Sequence, residues 1–225
     1  HEYNVTRDGI AEIVTSYSYN LNKPFGASPD RVMDNVIPIY GSSKSLQEKA
    51  LIYSFDTGDY SSMNGVSGYD WLTPEQVQWY REQSSFYTRK NIRDPLPALA
   101  YFHIPLPEYQ IAFDDDANKR YGVRKEDECG PKLNTGMFFA MKEMGGVMGT
   151  FVGHDHVNDY IVNYYGIGLA YGHFSGWKTT YTPGINGVRV VVLKEDQREF
   201  DTWLHALDGA IRDKVTFPSG FQTNN

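Results

Sequence analysis

The sequence feature that most constrains the fold is an apolar run that ends in two closely spaced histidines. The run covers residues 146–152, and Gly153-His154-Asp155-His156 follows it directly. Successive side chains of an extended backbone point to opposite faces, with a rise of ~3.3 Å per residue. We therefore expect the imidazoles of His154 and His156 to project together and Asp155 to face away. Such a pair suits two metal ions, which lie about 3.5–4 Å apart in two-metal hydrolytic sites. The alternative is a surface His-x-His of no consequence.

Strand patterns and helical patterns alternate along the chain. Residues 49–56 are apolar enough for a strand that is buried on both faces. Thr73 as N-cap, Pro74 at the first position and Gln76 at the capping-box position begin a helix. Helices are predicted at residues 7–19, 73–90 and 134–144, and strands at 36–40, 49–56, 97–103, 146–152, 160–164, 167–171, 188–193 and 200–207. Strand-helix-strand order early and hairpins late predict an α/β (α+β) layered sandwich with a mixed sheet.

Length and composition fit a single domain over residues 1–225. The chain is 40% hydrophobic, which is enough to bury a sizeable core. Its formal net charge of -7 argues against a nucleic-acid backbone or an acidic membrane as the main partner. No apolar run reaches the ~18–20 residues of a transmembrane helix.

The single cysteine, Cys129, excludes an internal disulfide and a Cys-based zinc site. Asn4-Val5-Thr6 is a glycosylation acceptor triplet, but such triplets often arise by chance and do not identify a compartment. A secreted or periplasmic location is slightly favoured.

A third histidine follows another apolar strand. Residues 97–103 deliver His103 at the strand end, and the two prolines that follow hold the backbone extended as a stiff support. In layered α/β proteins, ligands gather at the carboxyl ends of strands. We therefore expect His103, His154 and His156 to share one metal site, the alternative being three independent surface histidines.

Other residues near these strand ends have two interpretations each. His173 either lines a substrate pocket or is a turn histidine, and the turn is favoured. Tyr60, Tyr69 and Trp71 either shape a pocket or pack in the core or as a lid, and packing is the safer interpretation.

Four segments together form a distinctive pattern. They are Tyr69-Asp70-Trp71-Leu72 leading into Gln76-Val77-Gln78-Trp79-Tyr80, Phe102-His103-Ile104-Pro105-Leu106-Pro107-Glu108-Tyr109, Gly122-Val123-Arg124, and Gly153-His154-Asp155-His156-Val157-Asn158-Asp159. In this combination the chain resembles the calcineurin-like metallophosphoesterases, and within them the branch similar to purple acid phosphatases. The resemblance runs from about residue 51 to residue 171. Gly-His-Asp-His alone would be a weak signal, but the His-Ile-Pro-Leu-Pro-Glu segment before it makes chance a poor explanation.

The resemblance implies a fold, a reaction and a ligand set. The fold would be the C-terminal part of the four-layer phosphoesterase fold with mixed sheets, and the reaction would be hydrolysis of phosphate esters at a dinuclear metal centre. His103 and His154 would bind the second metal and His156 the first, with iron, zinc or manganese as candidate ions. His1-Glu2 resembles the tail of the family's Gly-Asn-His-Glu motif. His1 would then face the phosphate as a catalytic residue, and Glu2 would orient it.

The remaining ligands of the family are absent from the sequence. Its Asp-x-His motif, its Gly-Asp-x-x-Asp motif and its metal-binding asparagine would precede His1. Asp56 and Asp59 resemble an Asp-rich metal motif only superficially. We therefore expect the chain to be the C-terminal part of a longer phosphoesterase, with the missing N-terminal part as its partner. On its own it would hold metal weakly.

Two other functions stay open. The chain could be a truncated paralogue that folds or binds but does not hydrolyse. Alternatively, an N-terminal His1 could chelate copper through its amine and its ring, as in the histidine brace of polysaccharide monooxygenases. The copper hypothesis requires that the native protein begin at His1, and it leaves the phosphoesterase-like motifs unexplained.

Overall fold

The centre of the molecule is a mixed sheet that carries a helical layer on one face. The computed structural model describes residues 5–43, 46–176 and 186–222. Its helices are α1 (Arg7–Thr15), α2 (Pro74–Lys90), α3 (Glu108–Asp114) and α4 (Met137–Met144), with a short 3-10 turn at Ser219–Phe221. Its strands are β1 (Asn35–Tyr40), β2 (Glu48–Ser54), β3 (Ala98–Tyr101), β4 (Arg120–Tyr121), β5 (Val147–Val152), β6 (Ile161–Tyr164), β7 (Ile167–Tyr171), β8 (Gly187–Leu193), β9 (Phe200–Ala206) and β10 (Ile211–Phe217).

The large sheet has seven strands in the order β1-β2-β3-β5-β7-β6-β4. Its neighbouring strands β2, β3, β5 and β7 run parallel. Strands β1, β6 and β4 pair antiparallel with their neighbours. The carboxyl ends of the four parallel strands therefore meet at one edge of the sheet, which is the edge where ligands gather in proteins of this class.

The helical layer covers one face of the large sheet. Leu51 and Tyr53 are two residues apart on β2, so both side chains point to this layer. There they form a buried cluster with Tyr80 of α2 and Met141 of α4. Helix α2 begins with the capping box that the sequence predicts: Thr73 accepts from the amide of Gln76, and the Gln76 side chain accepts from the amide of Thr73. This cap fixes the point where the long loop after β2 ends.

A second sheet, of strands β10, β9 and β8, packs on the other face. Phe200 and Phe217 are fully buried between the sheets, and their stacked ring centroids lie 5.3 Å apart. Strands β5 and β7 make room for them with glycines: a Cβ atom on Gly149 would lie 2.9 Å from Cζ of Phe200, and one on Gly168 would lie 3.2 Å from Cδ2 of Phe217. The two glycines therefore permit the close approach of the sheets.

The predicted strands and helices are found, with four differences. Strand β4 was not predicted, because it has only two residues and lies in a charged segment without a period-2 pattern. Helix α1 ends at Thr15 rather than at residue 19. Helix α3 was not predicted, because the prolines before it indicated an extended support, whereas Pro107 has φ -53 and starts the helix. Strand β10 was also missed. It is mostly exposed and its register shifts between Arg212 and Val215, which removes the period-2 signal.

In the described part of the chain, every helix is too short or too polar to cross a membrane.

We expect Phe200→Ala to lower the free energy of unfolding by about 3–5 kcal/mol, because the ring is fully buried between two sheets and its loss leaves a cavity. Urea titration followed by circular dichroism measures this change. Phe139→Ala is the matched control, since that ring is 64% exposed on α4, and it should cost less than about 1 kcal/mol. Equal losses in the two variants would contradict the two-sheet packing.

Candidate functional site

The loops after β3 and β5 are joined by backbone hydrogen bonds at the carboxyl edge of the sheet. The ladder continues past the strands, because the Phe102 amide donates to the Phe151 carbonyl at 3.1 Å. The carbonyl of His103 then accepts from two amides, that of Gly153 at 3.2 Å and that of His154 at 3.1 Å. The backbone of His103 is thus tied directly to the start of the His-x-His segment.

These bonds bring the side chains of His103 and His154 together. The distance between Nε2 of His103 and Nδ1 of His154 is 3.3 Å, and the ring centroids lie 5.1 Å apart with an interplanar angle of 82°. The His103 ring packs against Gly153, where a Cβ atom would lie at an ordinary van der Waals distance of 3.4 Å from Nδ1 of His103. The expected meeting of the two strand ends is therefore observed, while the role of the two rings as metal ligands stays a prediction.

The backbone of the His-x-His segment is not extended, and that local prediction was wrong. Strand β5 ends at Val152, and the chain bends and turns over residues 154–157. The cause is Asp155, which is 3% exposed. Its carboxylate accepts from the Cys129 amide at 3.1 Å and from the Tyr171 hydroxyl. These bonds to the buried Asp155 draw the chain inward.

The segment that follows is held by a second buried polar residue. Asn158 is 1% exposed, and its side-chain oxygen accepts from the amides of Lys125 at 2.8 Å and Glu126 at 3.1 Å. A third hydrogen bond joins the same two loops, since the Glu126 carboxylate accepts from the Val157 amide at 2.9 Å. The loop over residues 122–130 therefore clamps the loop that carries His154 and His156.

The motif Gly122-Val123-Arg124 belongs to the same clamp. Gly122 has φ +90, and a Cβ atom there would lie 2.7 Å from the carbonyl oxygen of Asp159. Val123 and Asp159 exchange backbone and side-chain bonds of 3.0 Å and 2.7 Å. Arg124 pairs with the buried carboxylate of Glu128 at 2.7 Å. Two of the four family-like segments therefore support each other structurally.

The environment of His154 favours its neutral form. Burial lowers the pKa of His154, and the neighbouring His156 lowers it further, while the charges of Asp155 and Glu126 act in the opposite direction. A neutral imidazole offers a ring nitrogen lone pair, which is the form that binds a metal ion.

The fit of the described residues to a metal centre is partial. His103 and His154 converge, and His156 follows in the same turn. Within residues 5–43, 46–176 and 186–222, no group of three or more His, Cys, Asp or Glu side chains is arranged to hold an ion. Imidazoles suit iron and zinc, so the donor type fits one wall of such a site. His1 and Glu2 lie outside the described residues, and so does the copper hypothesis that depends on His1.

A row of aromatic rings borders the histidine pair. The Tyr69 ring meets His154 edge-on, with centroids 4.2 Å apart and an interplanar angle of 84°. Tyr60 stacks on Tyr69 with centroids 5.2 Å apart and an angle of 21°. From the sequence, packing was favoured over a pocket role for both tyrosines. The structure places the Tyr69 ring in contact with His154, a candidate metal ligand.

Two buried polar residues that sequence reasoning missed hold this aromatic loop. The Arg31 guanidinium, with a side chain 2% exposed, contacts Asp70 at 2.6 Å. Asp34 accepts from the Asp56 amide at 2.8 Å and from the Gln76 side chain at 2.9 Å, and burial raises its pKa. Their side-chain partners lie 39 and 42 residues away in sequence, so no local pattern could have identified them.

His173 follows β7 at the same edge of the sheet. A cavity of about 530 Å³ lies between the large sheet and β8, and its lining includes His103, His173, Tyr101, Phe151 and Arg189. Burial lowers the pKa of Arg189 to about 10, so the guanidinium still carries a charge at neutral pH. His173 therefore lines a cavity together with His103, while its role in a substrate pocket stays a prediction.

Curated relatives of the chain are purple acid phosphatase-like proteins. It is 37% identical over 177 residues to probable inactive purple acid phosphatase 29 of Arabidopsis thaliana, a match that covers 74% of this chain and 45% of that protein. The chain is 33% identical over 172 residues to probable inactive purple acid phosphatase 14 of the same plant, covering 73% and 42%. It is 28% identical over 171 residues to phosphatase DCR2 of Saccharomyces cerevisiae, covering 71% and 28%. The predicted resemblance to purple acid phosphatase-like proteins is confirmed.

The purple acid phosphatase-like relatives are longer than this chain, which spans less than half the length of the curated relatives that it matches. Two of these relatives carry the word inactive in their names and the third is named a phosphatase. No protein-family model matches the sequence. The comparisons therefore support a phosphatase family, and the activity of the whole protein is a proposal.

We expect Asp155 and Tyr171 to be energetically coupled in a double-mutant cycle. Asp155→Ala and Tyr171→Phe each remove one partner of a buried hydrogen bond, and each should cost about 1–3 kcal/mol of the free energy of unfolding. The double variant loses the same bond once, so the coupling energy should be about 0.5–3 kcal/mol.

The control cycle combines Asp155→Ala with Tyr53→Phe, because Tyr53 is buried against Tyr80 of α2. Its coupling should stay within about 0.5 kcal/mol. A similar coupling in both cycles would argue against Asp155 as the residue that turns the His-x-His segment inward.

Proposed function

We propose that this chain is part of a metal-dependent phosphoesterase that hydrolyses phosphate esters, with His103 and His154 as ligands of its metal centre. The observation that carries this proposal is the 3.3 Å approach of two ring nitrogens from the ends of neighbouring parallel strands. The similarity to a yeast phosphatase and to purple acid phosphatase-like proteins supports the reaction class. His156 is proposed as a further ligand from the resemblance alone.

The residues of the chain have distinct proposed roles in the reaction. A water oxygen adds to phosphorus, the ester P–O bond breaks, and the departing alcohol oxygen takes a proton, for which His1 is the proposed donor. Metal ions, when bound, would lower the pKa of the attacking water and offset the charge of the phosphoryl oxygens. The imidazoles of His103 and His154 would hold their ion in a fixed arrangement, because the His103 carbonyl accepts from the backbone amide of His154.

We further propose that residues 1–225 form the C-terminal part of a single four-layer phosphoesterase domain. The two stacked sheets and the helical layer on one face agree with such a domain. The remaining metal ligands, an iron, zinc or manganese pair, and the N-terminal part of the same protein would complete it. A secreted or periplasmic location stays a proposal.

A second candidate function is that of a paralogue that keeps the fold without turnover. The word inactive in the names of two relatives favours it. The buried clamp around Asn158 and Asp155 would be retained in such a protein, because it stabilises the loops and does not depend on a reaction.

We expect His103→Ala and His154→Ala to weaken metal binding by at least about tenfold in the full-length protein. Loss of a residue that only supports a ligand already costs 10–100-fold. Metal content measured after dialysis and hydrolysis of phenyl phosphate are the two readouts. His205→Ala is the matched control, because His205 is exposed on β9 of the second sheet.

The outcomes separate the candidate functions. Bound metal with hydrolysis, both reduced in the two variants, supports the phosphoesterase. Bound metal without hydrolysis supports the paralogue. Metal binding that is unchanged in His103→Ala and His154→Ala would contradict the ligand assignment.

A further inference from the structure

The aromatic row beside the histidine pair has an open end. Tyr69 contacts His154, and Tyr60 stacks on Tyr69. Tyr60 remains 60% exposed. One ring is thus used to pack against a candidate ligand, while the second presents a large part of its surface to solvent next to the site. An aromatic ring held flat in this way can stack with another planar ring.

The loop fixes both rings in place. Tyr60 and Tyr69 pair across an antiparallel bridge, with the Asp70 amide donating to the Asp59 carbonyl at 3.0 Å. Asp70 is held in turn by the buried Arg31. From the other side, the Lys132 ammonium donates to Ser67 at 2.8 Å. Because the rings are positioned before any ligand arrives, binding to them costs little conformational entropy.

We propose that the exposed ring of Tyr60 binds a planar aromatic group in the alcohol portion of the phosphate ester, next to the phosphate position at His103 and His154. This inference rests on the proposed function, because it takes the histidine pair to mark where the phosphate binds. Tyr60 contacts Tyr69 and Tyr69 contacts His154, with ring centroids 5.2 Å and 4.2 Å apart, so the aromatic group would be joined to the phosphate through a linker. Tyr69, and not Tyr60, occupies the position nearest to His154.

An exposed carboxylate lies beside Tyr60, while the ammonium of Lys132 on the other side of the loop is engaged by Ser67. This carboxylate is that of Asp59, the residue before Tyr60. The row therefore offers π faces next to a carboxylate, a surface suited to an uncharged or cationic aromatic ring.

Binding of phosphonates to the metal-loaded full-length protein tests the proposal without any need for turnover. Benzylphosphonate carries a planar ring one carbon away from phosphorus, cyclohexylmethylphosphonate carries a puckered ring of similar size, and methylphosphonate carries none. Calorimetry should show that benzylphosphonate binds about tenfold more tightly than methylphosphonate and more tightly than the cyclohexyl compound.

Variants of Tyr60 identify the ring that is responsible. We call the ratio of the affinities for benzylphosphonate and methylphosphonate the benzyl preference. Tyr60→Ala should reduce it to about threefold or less, while Tyr60→Phe should keep it. Tyr165→Ala is the matched control, because Tyr165 is also an exposed tyrosine beside another tyrosine, but it lies in the β6–β7 turn at the opposite end of the strands.

Each outcome decides something. A benzyl preference that survives Tyr60→Ala, a cyclohexyl compound that binds equally well, or no phosphonate binding at all would overturn the inference. A benzyl preference in a protein that cleaves no phosphate ester would support the aromatic site and count against the proposed hydrolysis. Hydrolysis without any benzyl preference would support the proposed hydrolysis and contradict the aromatic site.

Discussion

The candidate site depends on the parallel pairing of β3 with β5. This pairing sets the register in which the His103 carbonyl accepts from two amides of the next loop, those of Gly153 and His154. Because a parallel ladder gives its strands the same direction, the first residues after each strand leave the sheet at one edge. Two side chains from distant parts of the sequence therefore meet without any direct sequence signal between them. The His103 ring also packs directly against Gly153, the residue before His154.

The sequence was sufficient to predict that His103 and His154 lie at strand ends, because both follow short apolar runs. It could not predict how the chain continues after His154. The period-2 rule assumes an extended backbone, whereas two partners of Asp155, Cys129 and Tyr171, draw the backbone inward from 26 and 16 residues away. The same limit explains why Arg31 and Asp34 were missed. Capping signals within four residues, such as Thr73 with Gln76, were read correctly because cause and effect are local.

Two of the family-like segments mainly make contacts that stabilise the loops around the candidate site. Gly122 is required by the close carbonyl of Asp159, and Asn158 holds two amides of the facing loop. These bonds give the loops their shape whether or not a reaction follows. Sequence similarity in these segments is therefore expected in active and inactive relatives alike, since folding of the loop depends on the same bonds in both. Similarity alone supports the family, and the distinction between the two candidate functions depends on groups that bind metal or substrate.

Charge balance limits what the described residues can supply to a dinuclear centre. Two cations held by neutral imidazoles would leave several positive charges without compensation, and binding of that kind is weak. Two carboxylates of the strand-end loops are already engaged: Asp155 accepts from Cys129 and Tyr171, and Asp56 pairs with Arg7 at 3.2 Å. Moving Asp155 to a metal would leave a buried hydroxyl and a buried amide without their acceptor. In the proposed enzyme, we therefore expect most of the compensating negative charge to come from groups outside the described ranges, together with the phosphate of the substrate.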